Sequence, residues 1–129
     1  MRSEDRGSAA VDFVLVGSLL TLLFMAVLQL GLDYHVRNVL AACAADGARY
    51  GANADVASAE AGAEAANREI RVALGPAYAH AVAARTQDDV DGAPVVTIEV
   101  TARLPLLAWF LPDGPTVHAT GHALLEPAS

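Results

Sequence analysis

From residue 13 to residue 32 the chain reads FVLVGSLLTLLFMAVLQLGL, a run with no charge and with Ser18, Thr21 and Gln29 as its polar interruptions. About twenty residues at about 1.5 Å rise each span a hydrocarbon layer of about 30 Å, so the run predicts a membrane-spanning helix. Asp12 precedes it and Asp33 follows it. Asp33 opens a polar collar with Tyr34, His35 and Arg37, suited to the headgroup layer. Asp12 is harder to place, because Ala9, Ala10 and Val11 stand before it and make it an interruption of an apolar run. A carboxylate at the centre of such a helix costs about 2.5 to 3.5 kcal/mol, and less near its ends, unless it finds a partner.

Beyond the collar the period changes but remains helical. Val36, Val39, Leu40, Cys43, Gly47 and Tyr50 recur at spacings of three and four, so the membrane helix is expected to continue into a folded part. Its small residues, Ala41, Ala42, Ala44, Ala45, Gly47 and Ala48, let a second helix come close, with Arg49 and Tyr50 as candidate anchors at its end. Arg49 reads equally as a solvated end residue. Asp55 is the expected N-cap of a second helix over residues 56–74, stopped by Gly75-Pro76. Val56, Ala59, Ala63, Ala66 and Ile70 form its expected apolar face. Glu64 and Arg68 are spaced for a favourable pair on its solvated side.

Residues 76–85 fit either a helix end or a strand, and residues 87–94, QDDVDGAP, predict a loop. Val96, Ile98, Val100 and Ala102 alternate with Thr97, Glu99, Thr101 and Arg103, and Val117, Ala119, Gly121, Ala123 and Leu125 alternate with Thr116, His118, Thr120 and His122. Both patterns predict half-buried strands, paired antiparallel. Residues 104–111, LPLLAWFL, are apolar but too short to cross a bilayer; packing on the sheet is the expected role, with contact to the membrane surface or a partner patch as the alternatives.

Composition narrows the function classes. The net charge is -7 and lysine is absent, so a nucleic-acid role has no electrostatic footprint. One cysteine, Cys43, excludes an internal disulfide. Leu40-Ala41-Ala42-Cys43 matches a lipidation signal in sequence, but Asp33, His35, Arg37 and Asn38 separate it from the apolar core that such a signal must abut. His118 and His122 lie four positions apart on one strand, roughly 13 Å, too far for one metal ion. No nucleophile motif, phosphate loop or dinucleotide fingerprint is present, so neither enzyme activity nor a cofactor is expected.

The leader carries Arg2 and Arg6, which favours a cytoplasmic amino terminus and an extracytoplasmic carboxy-terminal domain. Gly7 followed by Ser8-Ala9-Ala10-Val11-Asp12-Phe13 resembles the prepilin peptidase site of type IV pilins, above all the TadE-like minor pilins of the tight-adherence (Flp) pilus system. Residues 38–52, NVLAACAADGARYGA, are similar to the small-residue helix that follows the membrane segment in that family. The resemblance implies cleavage between Gly7 and Ser8. Asp12 then becomes the fifth residue of the mature chain, guiding assembly by meeting the terminal amine of a neighbouring subunit, with Phe13 as the accompanying aromatic. The family's usual acid is glutamate, one methylene longer.

These readings give an α+β chain with a leader at 1–7, a membrane-spanning and extended helix at 8–53, and an extracytoplasmic domain at 54–129 that adds a second helix and an antiparallel sheet. The resemblance implies a minor pilin or pseudopilin in the cytoplasmic membrane or the pilus. Its implied partners are the prepilin peptidase, the major Flp-type pilin, sibling minor pilins, and the assembly platform with its ATPase. The alternative is a single-pass anchored binding or sensor domain that never enters a filament.

Overall fold

The computed structural model describes residues 2–53, 55–79, 81–88, 91–104, 106 and 114–125, with the side chains of 2–6 and 88 excepted. Helix α1 runs Arg2–Ala52 and helix α2 Ala59–Ala73; a 3-10 turn at Pro76–Tyr78 leads to strands β1 (Ala81–Asp88), β2 (Pro94–Arg103) and β3 (Thr116–Leu124). The 51 residues of α1 extend over about 77 Å at about 1.5 Å per residue. The chain divides into two compact units, Met1–Asp33 and Tyr34–Ser129. The second half of α1 thus falls in the same compact unit as α2 and the sheet.

In the first unit, large apolar side chains from Val11 to Leu30 are exposed around the helix, and α1 is long and apolar enough to cross a membrane. Its polar interruptions are satisfied within the helix. Ser18 Oγ donates to the Leu15 carbonyl (2.9 Å), Thr21 Oγ1 to the Gly17 carbonyl (2.8 Å), and Gln29 Nε2 to Asp33 Oδ1 (2.8 Å). Each donor thus avoids an unmet hydrogen bond in a medium without water.

The second unit is a three-stranded antiparallel sheet, order β1-β2-β3, covered on one face by helix. Val96, Ile98, Val100 and Ala102 of β2 point inward, beside Val117 and Ala119 of β3, and Leu40, Val36 and Ile70 complete the core from the helices. Fully burying a Leu or Ile side chain contributes about 1.5 to 3 kcal/mol. The register Val82↔Val100↔Ala119 and Ala84↔Ile98↔Gly121 keeps small and β-branched residues in rows across that face.

Several boundaries differ from the sequence reading. The α2 cap is Ser58, not Asp55: its hydroxyl accepts from the Ala61 amide (3.2 Å), while Asn53 Oδ1 takes the Asp55 amide into a turn and Ala57 adopts φ +42°. Such a cap contributes about 1 kcal/mol. Val56 thus lies outside the helix, and the buried face is Ala59, Gly62, Ala66 and Ile70, with Ala63 half-buried. Glu64 and Arg68 do not pair; among the described residues the ion pairs are Arg49 with Asp46 (3.2 Å) and Arg85 with Glu99 (3.4 Å).

Residues 81–88 resolve as a strand. Gln87, Asp88 and Pro94, expected in a loop over 87–94, belong to the ladder, where Asp88 faces Pro94; residues 89 and 90 lie outside the described residues. Leu104 is buried and Leu106 half-buried; the remainder of the apolar 104–111 segment lies outside the described residues.

Candidate processing and assembly site

The residues singled out at the amino terminus all lie in the first unit on α1. Gly7, Ser8, Asp12 and Phe13 are exposed, Phe13 to 79%. A methyl group at Gly7 would meet nothing within 4 Å. Ser8 and Asp12 are four residues apart, hence on one face of the helix. Glycine costs a helix about 1 kcal/mol relative to alanine, so Gly7 is a weak point of α1.

In the second unit, Gly47 sits at a close crossing of α1 and α2. A methyl at Gly47 would stand 2.6 Å from the Gly62 carbonyl oxygen, one at Gly62 2.5 Å from the Gly47 carbonyl oxygen, and one at Gly51 2.7 Å from the Ser58 carbonyl oxygen. Such distances are shorter than van der Waals contact, so only glycine lets the two backbones meet. Arg49 and Tyr50 do not share in this contact. Arg49 is solvated and paired with Asp46, and Tyr50 is 51% exposed. The buried stripe instead continues through Ala44, Ala48 and Ala52.

Two residues that sequence reasoning missed complete the crossing. Gly62 appears in the sequence as one small residue in an alanine-rich helix, and no periodicity separates it from its neighbours. Gly121 occupies an inward position of β3, where a Cβ would collide with the backbone of Ala44 and Ala45. A glycine at an inward strand position is the available signal, since it marks close approach of another backbone.

Cys43 is buried on the same stripe, and its thiol is pushed up from the ordinary value by burial first, then by the nearby carboxylates of Glu69 and Asp46. A thiol so placed is a packing group and not an exposed nucleophile. On the outer sheet face, Thr97 Oγ1 lies 2.9 Å from His122 Nδ1 and Thr101 Oγ1 3.1 Å from His118 Nδ1. Thr97 is only 6% exposed there. Each imidazole therefore tops its own cross-strand pair.

Residues 7–49 match the family model described as TadE-like protein. No curated protein and no solved structure matches the chain. The matched stretch takes in the Gly7 to Phe13 motif, the apolar run and the helix as far as Arg49, and it leaves α2 and the sheet outside.

Proposed function

We propose that the chain, whose residues 7–49 match the TadE-like family model, is a Tad pilus-associated minor pilin or pseudopilin cut between Gly7 and Ser8. The observation that carries this reading is the position of Asp12, five residues after Gly7 and one before an uncharged, exposed apolar run on a continuous helix. Cutting creates an ammonium at Ser8. A carboxylate at the mouth of an apolar helix then gains a cationic partner of the kind that offsets its cost in lipid. Supplied by a neighbouring subunit, that amine makes Asp12 a guide for lateral assembly.

In this reading the amino terminus faces the cytoplasm, the apolar part of α1 anchors the chain, and the domain of residues 34–125 stands outside the membrane. The prepilin peptidase, the major pilin, sibling minor pilins and the assembly platform are its partners. The chain is a substrate of an enzyme rather than a catalyst, and needs no cofactor.

Amino-terminal sequencing of the membrane-extracted chain, produced with the cognate peptidase, tests the proposal. The expected first residue is Ser8, and Asp12→Ala is expected to be cut yet to lose capture of partner pilins. An intact leader under those conditions, or full capture by Asp12→Ala, leaves an anchored binding domain instead.

A further inference from the structure

The outer side of α2 and the strand beside it form an open groove of about 380 Å³, lined by Ala63, Glu64, Asn67, Arg68, Arg71 and Val82. Two of the chain's eight arginines stand here, in a protein whose net charge is -7. Arg49 and Arg85 are each neutralised by a carboxylate, at Asp46 and Glu99. Among the described residues, no carboxylate pairs with Arg68 or Arg71. Glu64 shares the groove but lies beyond ion-pair distance of either.

Arg71 is also held in place. Asn67 Nδ2 donates to the Ala79 carbonyl (2.9 Å), which fixes the amide against the turn after α2, and Asn67 Oδ1 accepts from Arg71 Nε (2.9 Å). The terminal guanidinium nitrogens bond no other described residue, and it is through these that arginine takes a carboxylate in two parallel hydrogen bonds.

We propose that this groove docks a carboxylate-bearing segment of a partner protein, with Arg68 and Arg71 binding its acidic side chains and Asn67 positioning Arg71. Apolar lining from Ala63 and Val82, with Val72 86% exposed on the same helix, suits the aliphatic parts of a peptide better than a bare phosphate. Fixing Arg71 in advance lowers the ordering cost of binding. The proposal extends the pilus reading but does not rest on it, because neither Gly7 nor Asp12 takes part.

The test uses the full chain in detergent and a fluorescein-labelled short peptide of alternating Glu and Ala, with the Gln-Ala peptide as control. Anisotropy should rise with the acidic peptide only, and the affinity should fall as salt is raised from about 0.05 M to about 0.5 M. Arg68→Gln and Arg71→Gln should each weaken binding about tenfold, the loss of one charge-assisted contact. Asn67→Ala should weaken it less, and Arg85→Gln should leave it unchanged. Arg68 bonds no other described residue, so its variant serves even where a change at Arg71 disturbs the turn. Equal binding of the Gln-Ala peptide, or unchanged binding by Arg68→Gln and Arg71→Gln, would overturn the proposal. So would displacement of the peptide by phosphatidylglycerol vesicles, or Arg71-dependent self-association without peptide binding.

Discussion

Between residues 11 and 30, α1 exposes valine, leucine and phenylalanine on all sides; between residues 36 and 52 it buries alanine, glycine, one valine, one leucine and one cysteine along a single stripe. The two stretches share one backbone conformation and differ in what their side chains ask of the surroundings. Large apolar groups all round a helix, covered by no described residue, make it a candidate for a lipid surrounding. Small groups on one face call for another backbone at short range. Helix propensity is similar in the two stretches, so it is side-chain size that divides α1 between its two tasks.

The sharpest way to break this comparison is to put the same large residue into each region. Gly121→Val forces a side chain into the backbone of Ala44 and Ala45, whereas Gly17→Val meets nothing within 4 Å. Overpacking ordinarily costs about 1 to 3 kcal/mol, and a collision with backbone belongs at or above that range. Gly121→Val is therefore expected to lower the denaturation midpoint of the folded domain sharply or abolish its transition, and Gly17→Val to leave it in place. Equal effects would remove the distinction.

Truncation probes it from the other side. Leu40 is fully buried, so Leu40→Ala should cost the domain about 2 to 5 kcal/mol in denaturant melts. Leu20 is exposed, so Leu20→Ala should leave the same melt unchanged and act only on membrane partitioning.

The smallest effect sharpens the picture at alkaline pH. Burial raises the Cys43 thiol above 9.0 and the Tyr78 phenol above 10.0. The native state therefore holds these protons more tightly than the unfolded chain does. Their contribution to stability is complete below about pH 8.5 and is lost as the pH climbs through the raised values. Melts from pH 8 to 11 should show a decline that is shallower in Cys43→Ala, measured against each protein's own value at pH 8.

Much of this was legible in the chain. The uncharged run of residues 13–32 specifies its solvent without reference to any fold. The alternation around Val96 to Ala102 and Val117 to Ala123 specifies two strands with their inner faces. The motif from Gly7 to Phe13 was legible as a motif, because its residues are neighbours in sequence. Strand β1 was not, since its sequence, AVAARTQD, has weak alternation and becomes a strand by pairing with β2 across the Asp88↔Pro94 end of the hairpin. Asp55 and Ser58 are both acceptable caps, and the hydrogen bond from the Ser58 amide to the Gly51 carbonyl (3.0 Å) decides between them.

What the sequence by itself determined is the long apolar helix, the polar collar, the motif from Gly7 to Phe13 and the existence of α2, β2 and β3, each written in the local order of apolar, polar and small residues. Only the tertiary structure decided that Gly47, Gly51, Gly62 and Gly121 are the points where α1 meets α2 and β3, that Arg49 and Tyr50 stay outside that contact, and that Asn67 holds Arg71 beside Arg68. The physical reason is that a glycine or an arginine looks the same along the chain wherever it stands. Its role depends on which distant backbone or carboxylate the fold brings within a few ångströms.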